Sequence, residues 1–238
     1  MILLLRGHIR NAFDDLHLKD VILYLKELYL DLKIYIHTWN KISNSISWRP
    51  VVPNESEVTL EMINTYFGEL KGMIHHISID DDKRIELNGV LSGNVCKSNM
   101  PILGWKNYWY GQYKLITYVK QHIPSNEPVI NCRFDVLNNS NSFHLTYIQN
   151  FLAQNRRITQ NVFIHKNTGL DNFYLGTIDS MNTLISYFHF HLDTICLQYP
   201  YIQNQEFLVY LINESSHIDK NPMKLVKQKT KYMVYTSV

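Results

Sequence analysis

Few of the patterns that usually betray a site are present in this chain. Of its 238 residues only three are cysteine, Cys96, Cys132 and Cys196, far apart and without a C-x-x-C pair. That spacing suits neither a zinc site nor a disulfide framework, and a reducing compartment fits it. An excess of one charge is also missing: 23 Lys and Arg stand against 21 Asp and Glu, a formal net charge of +2. No basic stripe interleaved with aromatics runs through the body, so nucleic acid is not an expected partner. Long apolar runs are absent as well. Met1–Leu5 is followed at once by Arg6, His8 and Arg10, which spoils a secretory leader, and no later run has the length a bilayer requires, so no transmembrane segment is expected. Finally, no G-x-S-x-G elbow, no P-loop and no well-placed G-x-G-x-x-G occurs, which removes three common catalytic and nucleotide-binding frames.

What is present is a globular composition, 45% hydrophobic and 13% aromatic, enough for a sizeable core. Ile2–Leu5 reads as a buried strand. Leu18, Val21, Ile22, Leu25, Leu28, Tyr29 and Leu32 keep helical spacing, and Lys33–His37 alternates as a second strand. Strand, helix and strand within forty residues make a βαβ unit with parallel strands. The spacing then predicts a loop over 41–57, a short helix over 58–67, a third strand over 73–79 and a long connection over 86–103. An aromatic helix follows from Gly104 to about Gln121, its Trp105, Tyr108 and Trp109 assigned mainly to core. A strand over 128–137, a helix over 143–152, a strand over 161–165 and helices over 181–192 and 205–212 complete the chain. The expected fold is α/β, one domain over 1–238 with a mainly parallel central sheet flanked by helices. Five lysines between Lys220 and Lys231 mark a basic tail over 216–238, a solvated face in the plain reading and a weak membrane-surface contact in the other.

The stretch with most chemical content is Pro128–Leu137, an apolar run that ends in Arg133-Phe134-Asp135. An ordinary strand followed by a surface ion pair is the competing reading. Three other strand ends also carry polar groups: Arg6, Gly7, His8 and Arg10; His37 and Trp39; and Asp80-Asp81-Asp82. In a mainly parallel sheet such ends converge on one crevice. Arginines and a histidine beside a helix start suit a diphosphate. Asp135, or Asp80 with Asp82, is of the type that holds a divalent metal. His189 and His191, two apart on a helix, point to different faces and make a poor metal pair.

The succession Leu5-Arg6-Gly7-His8-Ile9-Arg10-Asn11-Ala12-Phe13, Tyr35-Ile36-His37-Thr38-Trp39, Val129-Ile130-Asn131-Cys132-Arg133-Phe134-Asp135 and Asp171-Asn172-Phe173-Tyr174-Leu175-Gly176 resembles glycosyltransferases of bacterial polysaccharide clusters and of large DNA viruses. The resemblance spans roughly residues 1–212 and implies a GT-A fold, with a Rossmann-like nucleotide-binding half over 1–125 and an acceptor half over 126–215. It implies transfer of a sugar from a nucleotide-sugar donor to a glycan acceptor hydroxyl in polysaccharide biosynthesis, with Mn²⁺ or Mg²⁺ as the associated ion, in the cytoplasm of a bacterial cell or of a virus-infected host cell. Carried onto this chain, Arg6, Gly7, His8, Arg10, His37, Trp39 and Arg133 would contact the donor. Asp135, or Asp80 and Asp82, would hold metal, and Asp171 with Asp135 would be catalytic. The chain departs from the family pattern where an arginine, Arg133, stands at the first acid of the D-x-D, which leaves the metal open. A sulfo- or phosphotransferase using the same cationic loop, or a non-catalytic carbohydrate-binding module, remain the alternatives.

Overall fold

The computed structural model describes residues 1–47, 52–138, 144–164 and 172–218. Within them, a six-stranded sheet is built from β1 (Ile2–Arg6), β2 (Lys33–Trp39), β5 (Ile74–Asp80), β6 (Pro128–Arg133), β7 (Val162–Phe163) and β8 (Phe173–Thr177). A separate antiparallel pair joins β3 (Lys41–Ser43) to β4 (Asn54–Glu57). The helices are α1 (His17–Leu28), α2 (Leu60–Phe67), α3 (Ile102–His122), α4 (Leu145–Gln154), α5 (Ile178–Gln198) and α6 (Gln205–Ile218). The strand order is β5-β2-β1-β6-β8-β7. The first four strands are mutually parallel, and β8 runs antiparallel to both β6 and β7.

The sheet is mostly parallel because its central strands are buried on both faces. Ile2, Leu3, Leu4 and Leu5 have no exposed surface at all, the continuous apolar run that a doubly covered strand requires. Successive residues feed opposite faces. Leu3 and Leu5 join a core with Val21, Ile22 and Leu25 of α1, Ile63 and Phe67 of α2, and Ile148 and Leu152 of α4. Ile2 and Leu4 join a second core with Trp105, Trp109 and Ile116 of α3, Ile185 and Phe188 of α5, and Leu208 and Ile212 of α6. Each such side chain contributes about 1.5–3 kcal/mol by leaving water. The result is three layers, with one core on each side of the sheet.

Several sequence-based boundaries shift. The expected strand over 128–137 ends at Arg133, and 134–138 form turns, so Asp135 lies beyond the strand rather than on it. Residues 41–57 hold a two-stranded ribbon, invisible beforehand because Asn54-Glu55-Ser56-Glu57 is polar and wholly exposed. The helix expected over 181–192 runs from Ile178 to Gln198, with non-helical angles at His191. Thr177 caps its start, accepting from the Ser180 N–H, while Ser180 Oγ accepts from the Thr177 N–H. No helix among the described residues is long and apolar enough to cross a membrane. The lysine-rich segment and Asp171 fall outside the described residues.

Helix α3 lies close on β2 at Gly111. A Cβ there would stand 2.6 Å from His37 Nδ1. His37 is fully buried and Nε2 is bonded to Asp80 Oδ2 at 3.1 Å, so the ring has no room to yield. Alanine favours a helix by about 1 kcal/mol over glycine, yet the overlap wins: Gly111→Ala is expected to lower stability by about 1–3 kcal/mol, read as a lower urea midpoint with unchanged slope.

Candidate functional site

Parallel pairing aligns the strand ends. Arg6 is level with His37 on one side and Arg133 on the other, and Trp39 is level with Asp80. The loop after β1 then doubles over this edge. Gly7 (φ 96°) donates its N–H to His37 O at 3.2 Å, and Arg10 N donates to Ile42 O at 2.9 Å. Arg10 itself has φ 54°, a left-handed conformation uncommon for a residue with a Cβ. That turn carries its guanidinium to the far side of β1, where NH1 meets Asp135 Oδ2 at 2.9 Å.

Asp135 is the hub. Arg133 grips it with two parallel bonds, Nε to Oδ1 and NH2 to Oδ2, both 2.8 Å, and sends NH1 to Asn172 Oδ1 at 3.1 Å. The carboxylate is almost fully buried between two guanidiniums. Burial alone would raise its pKa, but Arg133 and Arg10 outweigh that and hold it below the usual carboxylate range. Arg6 is set by a different device. It is 2% exposed, its Nε donates to Asn131 Oδ1 at 2.6 Å, and its guanidinium lies 4.5 Å from the centre of the Tyr108 ring. Asn131 in turn donates to Gln112 Oε1 at 3.0 Å, which also accepts from Tyr174 OH at 3.0 Å. Buried polar chains of this kind fix geometry because a broken link leaves a desolvated group unpaired.

These groups open into one cleft. Arg6, Gly7, His8, Arg10, Trp39 and Arg133 line it, together with residues not foreseen: Asn44, Ile46 and Ser47 from the segment after β3; Met100, Gly104, Trp105, Asn107 and Tyr108 at the start of α3; and Gln205 and Glu206 of α6. The cavity amounts to about 90 Å³, room for a phosphate group. Sites for whole small molecules run to about 300–1,000 Å³, so a larger ligand would extend into the open mouth. His8 brings no charge to it. Burial, helped by Arg10 and Arg133, pushes its pKa down to about 4. Its Nδ1 lies 3.1 Å from Lys41 O, so this nitrogen carries the proton and Nε2 the lone pair.

The remaining expected residues lie elsewhere. His37 is packed beneath the cleft, neutral through burial, against Asp80. Asp80 also takes Lys114 Nζ at 2.6 and 2.7 Å; burial raises its pKa, but the bonds from His37 and Lys114 carry it down to about 2. Asp82 accepts from Asn44 Nδ2 at 2.6 Å. With β2 and β1 between them, the ends of β5 and β6 are about 14 Å apart, which sets Asp80, the last residue of β5, well away from Arg133, the last of β6. The Asp135 oxygens serve guanidiniums and those of Asp80 serve Lys114 and His37. Asp135 and Asp80 therefore do not fit a divalent metal, and no group of three or more His, Cys, Asp or Glu suited to one occurs among the described residues.

Comparison of the chain with protein-family models, curated proteins and solved structures found no match. The chemistry of the cleft is read from its own geometry: a cationic floor at the carboxyl edge of parallel strands, walled by aromatics and amides.

Two outcomes follow. Asp135→Asn leaves two guanidiniums facing one another, and a loss of about 3 kcal/mol is expected in chemical unfolding. Asp80 has a folded pKa below its unfolded value, so its contribution is complete above about pH 4 and disappears as pH falls towards 2. Allowing for solvent screening, that contribution is about 1–2 kcal/mol. Acid titration of stability should therefore fall less steeply between pH 4 and 2 in Asp80→Asn than in the unaltered protein.

Proposed function

We propose that this protein is a nucleotide-sugar-dependent glycosyltransferase whose donor diphosphate binds in the cleft at the ends of β1 and β6. One observation carries the reading: Arg6 and Arg10, at the end of β1 and in the loop after it, and Arg133, at the end of β6, line a single cleft at the carboxyl edge of parallel strands. Ligands of open α/β sheets gather at that edge. Guanidinium forks match phosphate oxygens two at a time, and Trp39, Trp105 and Tyr108, the two tryptophans almost fully buried, give that edge a rigid aromatic lining.

The chemistry asks for little more. The acceptor hydroxyl oxygen bonds to the anomeric carbon, the bond from that carbon to the diphosphate oxygen breaks, and its electron pair stays on the leaving diphosphate. The hydroxyl proton passes to a base or to water. Negative charge grows on the leaving group, and groups already aimed at it lower the barrier without reorganising. In this chain the arginines fill that role, two of them positioned by Asp135 and the third by the Asn131–Gln112–Tyr174 chain. The same charge would suit a phosphosulfate donor; the amides of Asn107 and Gln205 lining the cleft favour a polyhydroxylated ligand instead.

The test is a panel of UDP-, GDP-, dTDP- and CMP-sugars and a phosphosulfate donor, each with manganese and with EDTA. At least one nucleotide sugar is expected to raise the melting temperature and be slowly hydrolysed, with binding retained in EDTA. Arg133→Lys keeps the charge and loses the fork that grips Asp135, so the cationic floor is no longer held in place and the donor should weaken by about 10-fold or more. Absence of any shift and any hydrolysis across the sugar panel, or preference for the phosphosulfate donor, defeats the proposal.

A further inference from the structure

Two of the three cysteines, remote in sequence, meet outside the cleft. Residues 93–101 make a compact turn ahead of α3. Val95 N donates to Met100 O and Ile102 N to Gly93 O, both at 2.9 Å, and Ser98 Oγ donates to Val95 O at 2.7 Å. Val95 is fully buried against the second core. The next residue, Cys96, has φ 52°, a left-handed conformation uncommon for a residue with a Cβ. Beyond it Lys97 N donates to Ile202 O at 3.0 Å, and Lys97 Nζ lies 4.9 Å from the centre of the Tyr201 ring. The turn is thereby clasped to the end of α5, whose last helical turn carries Cys196. There the Cys96 thiol donates to Cys196 Sγ, which also accepts from the Cys96 N–H. Both are free thiols, half-buried and within reach of a small solute.

The two sulfurs are not equivalent. The bonds from Cys96 outweigh burial and hold Cys196 below the usual thiol range, while Cys96, as their donor, is raised. A sulfur with thiolate character and a second thiol in contact is the arrangement in which oxidation ends in a disulfide. We propose that Cys96 and Cys196 form an oxidisable dithiol, converted by a hydroperoxide to a reversible disulfide that locks the turn over 93–101 onto the end of α5. The Cys196 thiolate attacks a peroxide oxygen, the O–O bond breaks, and with one proton taken up water leaves and a sulfenic acid remains. Cys96 sulfur then attacks that of Cys196, the S–O bond breaks, and the departing hydroxide leaves as water with the Cys96 proton. Each sulfur gives up one electron, and hydrogen peroxide becomes two waters. Cys132 takes no part: it is fully buried, and burial pushes its thiol up to about 12. The same turn ends beside Met100 of the cleft lining, yet the thiol chemistry is independent of what the cleft binds.

The experiment treats the reduced full chain with a slight excess of hydrogen peroxide, unfolds it in guanidinium, alkylates it and maps its tryptic peptides by mass spectrometry. The expected product is a peptide pair joined through Cys96 and Cys196, with Cys132 alkylated. The melting temperature should rise by about 4 °C or more, and dithiothreitol should reverse both changes. Cys132→Ala should keep the link, and Cys96→Ser should stop at a sulfenic acid on Cys196 that dimedone traps. Three alkylated cysteines after peroxide, a link through Cys132 or between two chains, or oxidation of Cys196 without a link overturns the proposal. A link that lowers the melting temperature overturns it as well, because the bond then distorts the turn instead of holding it.

Discussion

The cleft depends on one buried carboxylate shared by two guanidiniums. Asp135 sits in a turn past the end of β6, and Arg133 and Arg10 close on it from two chain segments 123 residues apart in sequence. Each arginine is a long side chain near a solvent edge, and an exposed ion pair fixes little. Burial changes that balance, because a desolvated carboxylate without its partners would be costly. The two guanidiniums are therefore held at fixed positions, and with Arg6 the floor keeps a net positive charge after Asp135 has been matched. The strained backbone at Arg10 fits this account. A left-handed residue with a side chain costs of order 1–3 kcal/mol, and here it directs a cation to the hub.

The same arrangement bears on how negative charge would be met in the cleft. A divalent ion needs carboxylate oxygens that are not already engaged, and the acids nearest the strand ends are committed to Arg10, Arg133, Lys114 and His37. Guanidiniums placed in advance offer an equivalent: fixed positive charge with directional donors, requiring no rearrangement as charge develops. His8 complements them as a neutral ring with an acceptor nitrogen, since burial, helped by the arginines around it, resists its protonation. Asn44, Asn107, Gln205 and Glu206 line the same cleft.

Much of this was legible in the sequence because parallel strands bring distant strand ends together. Apolar runs at Ile2–Leu5 and Pro128–Cys132 marked central strands, and the polar residues just after them were correctly taken as neighbours. The roles within the cluster were less legible. Asp135 reads as an exposed acid two residues past an arginine; only the turn beginning at Phe134 folds it back under that arginine. His37 lies on the strand face that packs against Gly111, a contact that no local pattern announces. Asn131 within an apolar strand and Gln112 within an apolar helical stripe were visible signals of a buried network, since polar residues at such positions need partners. Glu206, Asn44 and Ser47 carried no comparable mark, because tertiary packing alone brings them to the cleft.

The measurement that bears most directly on the central claim is a crystal structure of the protein with a bound nucleoside diphosphate. The account predicts phosphate oxygens within hydrogen-bonding distance of Arg10 and Arg133, with the Asp135 carboxylate still gripped by both arginines. A diphosphate bound elsewhere, or one held through a metal on Asp135 with the arginines turned away, would contradict it.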